Sequence, residues 1–322
     1  MSDFYKLRGK QELVNKVIEN IDFKVDALLE IPSKYALIGG GKRLRPLICM
    51  LCAEMVGGTN VIVEDAFVAL ELIHNGTLIH DDIIDEDLAR RGAPTVHVKF
   101  GGKRAILTGD ALLSLGLQYA TKTGNIKIVR LLSETSLKMV QGVALQTFYR
   151  RRLASESKYI EIIYLKSGSL FEAAAAIGGL SASDDETIFN HFSDFGRNFG
   201  IAYQIRDDLQ DAMNSDESRR SDTVNGDLTL PFIYAIESNR IDEEDKNYLL
   251  NVFEGKDEKI DYKKIQRIFK ETDAIDRSIK KMKDYAAMSK KNLEYFSASE
   301  AREHLNLLLD LFYKDLAYDS PI

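Results

Sequence analysis

Two stretches of the chain carry the same arrangement of acidic residues. The spacing Asp-Asp-x-x-Asp occurs first as Asp81, Asp82 and Asp85 and again as Asp207, Asp208 and Asp211. In a helix, the first and last carboxylates of each set lie at i and i+4, on one face. Like charges at that spacing repel each other, so the pattern indicates a counter-charge. Mg²⁺ is usually held by one or two carboxylates together with substrate phosphates and waters. The two stretches are therefore predicted to form two walls of one metal–diphosphate site.

Basic residues stand beside glycines at two other places. Gly39, Gly40 and Gly41 precede Lys42, Arg43 and Arg45, and a helix is expected to begin near Pro46. Glycine permits close approach of the backbone to a ligand, and a helix N-terminus favours anions. Arg90 and Arg91 follow the first acidic motif and can face the same anion. The residues are thus suited to a phosphate, although a Gly-rich basic turn taken alone is more often a solvated loop.

Other reactive residue types have simpler interpretations. His74 and His80 lie in an apolar helical segment, where a histidine is more often a core residue than a ligand. Arg150, Arg151 and Arg152 are predicted to form a solvated helix end that interacts with the helix dipole. The two cysteines, Cys49 and Cys52, lie in an apolar run and are expected to be buried. Lys166 is a single lysine in an apolar neighbourhood.

Helical periodicity positions these residues, and strand alternation is hard to find. The 322 residues contain five prolines and no Pro/Gly/Ser-rich linker, so we expect one all-α domain over residues 1–322. The pattern predicts helices over residues 8–30, 63–88, 105–121, 126–153 and 184–210. Residues 93–100 are predicted to be an extended connection. The polar segment 212–228 is predicted to be a mobile lid over the metal–phosphate site.

Composition limits the class of protein. Hydrophobic residues make up 45% of the chain and charged residues 29%, as in a globular protein with a large core. The net charge of −7 gives no general affinity for nucleic acid or an anionic membrane. No apolar run reaches the length of about 18 residues that a membrane span needs. With a polar N-terminus and no disulfide framework, the chain is predicted to be cytoplasmic.

In this order, the motifs resemble those of the trans-isoprenyl diphosphate synthases, the head-to-tail prenyl-chain elongating enzymes. Five stretches carry the resemblance, namely Gly39–Pro46, His80–Asp85, Arg90–Gly92, Lys166–Phe171 and Tyr203–Asp211. Each stretch alone is weak, but all five in order are highly specific. The resemblance implies the isoprenoid synthase fold, a single domain of long, mostly antiparallel helices around a central cavity, usually as a homodimer.

The resemblance also implies a role for each matching residue. Mg²⁺ is expected to bridge the diphosphate of an allylic substrate, with Asp81, Asp85 and Asp207 as the main ligands and Asp82, Asp208 and Asp211 beside them. Isopentenyl diphosphate is expected to bind Lys42, Arg45, His74 and Arg91. The allylic substrate is expected to contact Arg90, Lys166, Ser167 and Gln204. Catalysis is assigned to Asp81, Asp85, Asp207 and Lys166, since metal ions and cations neutralise the leaving diphosphate.

The sequence departs from the family pattern after the second acidic motif. Glu217 and Asp227 stand where family members usually have lysines that contact the allylic diphosphate. Either Arg219 and Arg220, the nearest cations in the sequence, replace those lysines, or allylic binding is weakened.

Product length is partly predicted by the helix that precedes the first acidic motif. In the family, the residues four and five positions before that motif form the floor of the product tunnel, and here they are the small Thr77 and Gly76. Ile73 lies one turn deeper and could stop chain growth, whereas the run Ala173–Ala176 would leave the tunnel wide. These residues favour a product longer than geranylgeranyl diphosphate, with geranylgeranyl diphosphate itself as the alternative.

Three other interpretations remain at this point. A non-catalytic or regulatory subunit of a heteromeric prenyl synthase would explain the departure at Asp227, but such subunits typically lose an acidic motif. A terpene cyclase would not need the residues that bind a second substrate. Two exposed acidic helix faces would explain each motif separately but not their order among the basic motifs.

Overall fold

Sixteen helices and one short hairpin make up the part of the chain that the computed structural model describes, which is residues 2–58, 61–214, 222–257 and 259–313. The first half contains α1 (Ser2–Glu19), α2 (Ala27–Ile38), α3 (Leu44–Met55), α4 (Val61–Ile84), β1 (Ala89–Arg90), β2 (Ala93–Pro94), α5 (Val96–Phe100), α6 (Gly102–Lys122) and α7 (Ile126–Tyr149). The second half contains α8 (Glu156–Ile163), a π-helical turn (Tyr164–Gly168), α9 (Ser169–Leu180), α10 (Glu186–Met213), α11 (Asp222–Asn225), α12 (Leu230–Ile236), α13 (Glu243–Glu254), α14 (Tyr262–Glu271), α15 (Ala274–Leu293) and α16 (Glu300–Tyr313).

Helix α9 lies at the centre of the fold, in contact with α3, α7 and α10. All of its residues are buried, including the run Ala173–Ala176. Small residues allow this close packing, because a Cβ at Gly178 would lie 2.3 Å from the carbonyl oxygen of Cys49. The alanine run therefore lies in a close contact between helices. Cys49 and Cys52 are buried here, as predicted.

Several element boundaries differ from the predicted ones. The expected helix over residues 8–30 is two helices, because Asp26 caps a new one by accepting a hydrogen bond from the backbone N–H of Leu28. The expected extended connection at 93–100 contains the second hairpin strand and the short helix α5. Helix α7 ends at Tyr149, and Arg150 has an extended backbone.

The all-helical prediction is otherwise confirmed over the described residues, where the two-residue strands β1 and β2 form the hairpin. None of the described helices combines the length and the apolar character that crossing a membrane requires.

Candidate active site

A cleft of about 1060 Å³ lies where α4, α7, the π-helical turn and α10 come together. Asp85 lines it from the end of α4, while Asp207, Asp208 and Asp211 line it from α10. The two acidic motifs, distant in sequence, thus contribute carboxylates to one cavity. Lysine and arginine side chains from three further segments also line it, namely Arg90, Arg150, Arg151 and Lys166.

The three aspartates of the first motif have different surroundings. Asp81 lies one turn before Asp85, and burial raises its pKa, an effect that the nearby Lys166 opposes. Asp82 is buried and accepts a hydrogen bond from Nε of Arg90 at 2.5 Å. Asp85 accepts a hydrogen bond from Nη2 of Arg150 at 2.7 Å. The middle aspartate therefore fixes Arg90, and Asp85 faces the cleft.

The second motif divides in the same way. The Asp207 side chain is exposed to the cleft, where desolvation raises its pKa and Arg206 opposes the shift. Asp208 accepts one hydrogen bond from Tyr159 at 2.6 Å and another from Gln204 at 2.9 Å, and burial raises its pKa to about 7. Asp211 accepts a hydrogen bond from the backbone N–H of Asp222 at 2.8 Å. Protein donors thus bind both oxygens of Asp208, which makes it a positioning group.

A π-helical turn places Lys166 and Ser167 in the cleft. Nζ of Lys166 donates to Gln146 at 2.6 Å, and the Ser167 hydroxyl donates to Gln204 at 2.8 Å. The π-helical turn packs against α7 at Gly142, where a Cβ would lie 2.3 Å from the backbone nitrogen of Lys166. Irregular helical turns of this kind occur frequently at functional sites.

A second group of basic residues gathers around an aromatic cluster. Nη1 of Arg45 lies 3.0 Å from Nε2 of His74, and the Arg45 guanidinium lies 4.2 Å from the centre of the Phe171 ring. Nζ of Lys42 lies 5.0 Å from the centre of the Phe312 ring. The rings of Phe171 and Phe312 both contact Tyr203.

Arg91 joins this group through the glycine-rich turn. Its guanidinium donates to the carbonyl oxygen of Gly40. Gly41 lies next to the same guanidinium, and its φ of +132° is a backbone conformation that favours glycine. The group that lies against the backbone of these glycines is therefore the guanidinium of Arg91.

Arg43 does not belong to the phosphate-binding group that the sequence suggested. It is buried, donates to Glu71 at 2.5 Å and also donates to the carbonyl oxygen of Leu37. Asn75 donates to the same carboxylate oxygen of Glu71 at 2.9 Å. Arg43 is a structural cation that holds the N-terminus of α3 against α4.

The chain-length residues do not share one surface. A Cβ at Gly76 would lie 3.0 Å from the carbonyl oxygen of Gly109 in α6. Ile73 packs against Gly116 of α6, where an added Cβ would lie 2.6 Å from Cγ1 of Ile73. Both residues therefore belong to the contact between α4 and α6. Thr77 is partly exposed and lies at helical spacing from His74 and Asp81, on the face of α4 that carries the site.

The donor chemistry of the cleft suits a hard divalent cation. The acidic residues that line it offer only oxygen ligands, and among its described lining residues there is neither histidine nor cysteine. Within the described ranges, no three acidic, histidine or cysteine groups form a preformed metal site. An arrangement of separated carboxylates fits Mg²⁺ bound together with substrate phosphates, since Mg²⁺ rarely occupies an all-protein cage.

Three residues near the cleft were missed or misplaced by sequence reasoning. Arg150 was predicted to be a solvated helix end, but it binds Asp85 and Asp227. Tyr159 and Asp222 carried no motif that would mark them. Burial raises the pKa of Asp222 well above its usual range, and Asp208 and Asp211 add to the shift. Glu217, Arg219 and Arg220 lie outside the described residues.

Comparison with known proteins identifies the class to which this fold and site belong. The polyprenyl synthetase family matches residues 26–272. A geranylgeranyl diphosphate synthase of Methanosarcina mazei is 36% identical over 317 residues, which cover 92% of this chain and 91% of that protein. A short chain isoprenyl diphosphate synthase of Methanothermobacter thermautotrophicus is 34% identical over 315 residues, covering 94% and 96%.

Solved structures agree with these relatives. Geranylgeranyl pyrophosphate synthetase from Pyrococcus horikoshii superposes with a TM-score of 0.87 at 32% identity, covering 98% of each chain. Polyprenyl synthase from Caulobacter crescentus, complexed with calcium and isoprenyl diphosphate, gives a TM-score of 0.88 at 28% identity, covering 98% of this chain and 97% of that chain.

The chain belongs to the polyprenyl synthetase family. It has the isoprenoid synthase fold and is a head-to-tail trans-prenyltransferase, which confirms the predicted fold and enzyme class. Enzymes of the family use isopentenyl diphosphate and allylic diphosphates and depend on divalent metal ions.

Proposed function

We propose that the cleft binds an allylic diphosphate with Mg²⁺, through Asp81 in the last turn of α4, Asp85 just after that helix, and Asp207 and Asp211 of α10. The observation that carries the proposal is that both acidic motifs place carboxylates in one cleft of about 1060 Å³ that also contains cations. Asp82 and Asp208 then act as positioning groups, for Arg90 and for the second motif respectively. When bound, Mg²⁺ would neutralise charge on the diphosphate.

Cations of the protein complete the allylic site. We assign Arg90 and Lys166 to stabilising the charge that develops on the departing diphosphate. Ser167 and Gln204 form a hydrogen-bonded pair beside them and would orient the substrate. No protein nucleophile is required for this reaction, because the double bond of isopentenyl diphosphate attacks the allylic carbon and a proton is then lost.

The second substrate is assigned to the basic group beside the glycine-rich turn. Lys42, Arg45 and Arg91 supply charge for the diphosphate of isopentenyl diphosphate. Burial lowers the pKa of Arg45 only to about 10, so its guanidinium stays charged at neutral pH. Three aromatic rings pack around this group, those of Phe171, Tyr203 and Phe312. They would keep water away from the allylic carbocation that forms when the diphosphate departs.

The product is proposed to be geranylgeranyl diphosphate or a longer prenyl diphosphate. Relatives with 36% and 32% identity carry the name geranylgeranyl diphosphate synthase or geranylgeranyl pyrophosphate synthetase. On the site face of α4, the small Thr77 stands just before the acidic motif, where a bulky side chain would obstruct a growing chain. We further propose a single domain over residues 1–322 that acts as a homodimer.

An elongation assay tests the function and its site together. Purified protein is incubated with Mg²⁺, labelled isopentenyl diphosphate and, separately, dimethylallyl, geranyl, farnesyl and geranylgeranyl primers, and the products are separated by chain length. We expect discrete elongated products. Asp81→Ala and Asp207→Ala should lower kcat about a thousandfold with unchanged circular dichroism, because they remove groups that neutralise the leaving diphosphate.

Asp276→Ala, an exposed aspartate of α15 outside the cleft, is the matched control and should keep full activity. Full activity of either cleft variant would refute the metal assignment. Folded wild-type protein that elongates no primer would instead favour the regulatory-subunit alternative.

A further inference from the structure

Arg150 bridges two carboxylates of the cleft. Its Nη2 donates to Oδ1 of Asp85 at 2.7 Å, and its Nε donates to Oδ1 of Asp227 at 3.2 Å. Asp85 belongs to the first acidic motif, whereas Asp227 lies in the segment between α11 and α12. The Arg150 guanidinium therefore joins α7 to the two opposite sides of the diphosphate cleft.

Asp227 is held in place from several directions. Nε2 of Gln146 donates to its Oδ1 at 3.0 Å, and the other end of the same amide accepts from Lys166 at 2.6 Å. The neighbouring backbone is fixed as well, because the N–H of Arg151 donates to the carbonyl oxygen of Gly226 at 2.7 Å. Asp227 is thus a rigid support for Arg150.

The other described cations of the cleft are engaged differently. Arg90 donates to Asp82 and lies 3.5 Å from Asp87, on the hairpin side. Arg151 donates to the carbonyl oxygen of Glu254 at the end of α13. Arg150 alone among the described cleft cations contacts an oxygen of Asp85, which the proposed function assigns to the metal ion.

We propose that Arg150 is a diphosphate-binding residue of the allylic site and that Asp227 is its positioning residue. The proposal rests on the proposed function of the cleft. An arginine has five N–H donors, so the contact between Nε and Asp227 can remain while the Nη groups change partner. A divalent cation on Asp85 would take the carboxylate oxygen that Nη2 now contacts, and the released Nη groups would donate to the diphosphate beside that cation.

This arrangement accounts for the acidic residue at position 227. The family pattern places a lysine there, whereas this chain combines an aspartate with an arginine from α7. The carboxylate converts the position from a cation that contacts substrate into a support for one. Arginine also suits the role, since its planar fork binds phosphate oxygens in pairs.

Two binding measurements without turnover give opposite expectations for one variant. Arg150→Gln should bind Mn²⁺ alone more tightly than wild type, because Asp85 loses a competing cation; free Mn²⁺ is followed by electron paramagnetic resonance. The same variant should bind inorganic diphosphate with Mg²⁺ about 10- to 100-fold more weakly in calorimetry, the range of a charge-assisted hydrogen bond. Its KM for the allylic primer should rise while its KM for isopentenyl diphosphate stays the same.

Substitutions at position 227 test the coupling between Asp227 and Arg150. Asp227→Lys alone should weaken Mg²⁺–diphosphate binding, because it places a second cation against Arg150. Combined with Arg150→Gln, the same lysine should restore binding. The effect of Asp227→Lys on binding would thus change sign with the residue at position 150, which independent residues do not show. Arg150→Lys keeps the charge and should bind diphosphate more tightly than Arg150→Gln.

Arg152→Gln is the matched control, since this exposed arginine lies over the Phe148 ring, outside the cleft. It should match wild type in every measurement. Unchanged diphosphate binding by Arg150→Gln, or equal weakening of Mn²⁺ and diphosphate with a lower melting temperature, would overturn the proposal. If wild type itself bound no Mg²⁺–diphosphate, the proposed function of the cleft would fail instead.

Discussion

Neighbouring aspartates within each acidic motif have different roles because a helix turns by about 100° per residue. The first and last carboxylates of each motif share one helix face, and Asp85, Asp207 and Asp211 among them line the cleft. The middle ones are held by side chains of the protein: Asp82 accepts a hydrogen bond from Arg90, and Asp208 accepts hydrogen bonds from Tyr159 and Gln204. Each motif therefore combines cleft carboxylates with one positioning carboxylate.

The shared face of each motif could be predicted from residue spacing, but the partners could not. Tyr159 precedes Asp208 by 49 residues and belongs to another helix. Similarly, Lys42, Arg43 and Arg45 are equivalent in sequence as cations near glycine, and only the fold directs Arg43 to the buried Glu71. A side chain's partner depends on tertiary contacts that local patterns do not encode.

The protonation state of His74 follows from its contact with Arg45. A guanidinium has only donors, so Nε2 of His74 must accept, and the imidazole is neutral with its proton on Nδ1. Burial and the nearby arginines, Arg45 foremost, lower the pKa of His74 well below its usual range. The neutral ring lets His74 orient Arg45 without repelling it.

This pKa predicts how stability depends on pH. In the unfolded chain His74 takes up a proton as the pH falls through its ordinary pKa of about 6.5, whereas in the folded protein it stays neutral. The contribution of the neutral His74 to the free energy of unfolding is therefore present above about pH 6.5 and is lost as the pH falls. The slope for one proton is at most about 1.4 kcal/mol per pH unit. The free energy of unfolding is measured by urea titration at several pH values between 7.5 and 5.5. As the pH is lowered over this range, we expect it to fall less steeply for His74→Gln than for wild type. Parallel curves would contradict the lowered pKa, because they would show that His74 binds its proton equally well in the folded and unfolded states.

Helix α4 has two faces with different tasks. Gly76 and Ile73 pack against Gly109 and Gly116 of α6, where the helices are in close contact. His74, Thr77 and Asp81 follow each other at spacings of three and four on the site face. We therefore expect the adjacent residues Gly76 and Thr77 to affect stability and product length separately.

Bulky substitutions at these two positions should have different effects. Gly76→Phe has no room against α6 and should lower the free energy of unfolding by about 1–3 kcal/mol or more. Thr77→Phe should leave stability nearly unchanged and shorten the product, because its ring would enter the path of the growing chain. Chain-length analysis and urea denaturation of both variants check this. An unchanged product from Thr77→Phe would place the end of the tunnel elsewhere.

The end of α7 shows why element boundaries matter for the site. Sequence periodicity extended this helix to residue 153 and left Arg150 in solvent. The helix ends at Tyr149, Arg150 is extended and Arg151 takes a left-handed φ of 61°. Contacts of Arg151 with Gly226 and Glu254 stabilise that turn, and they come from segments more than seventy residues later. The turn directs Arg150 into the cleft.

At the scale of the whole molecule, α9 allows distant motifs to meet. Its small residues let α3, α7 and α10 approach closely, so the segments that carry the basic and acidic motifs surround one core. The five motifs in order were sufficient to predict this all-helical fold. The cleft is therefore a product of helix packing, and no single motif defines it.

An apolar stripe on α7 supports the proposed homodimer. Leu137, Val140 and Phe148 lie at helical spacing and remain 57–62% exposed. On the neighbouring α6, Leu107 is 58% exposed and Leu117 is 39% exposed. Exposed apolar patches of this kind mark association surfaces.

A charge within the stripe should separate the subunits. We expect wild type to have the mass of two chains in sedimentation analysis and Val140→Glu to have that of one, because dimer formation would bury an unpaired carboxylate. Met288→Glu is the matched control, since Met288 is 44% exposed on α15, far from the stripe in sequence, and this variant should stay dimeric. A dimeric Val140→Glu would move the interface away from α7. A monomeric wild type at micromolar concentration would remove the homodimer from the proposal and leave the stripe to a different partner chain.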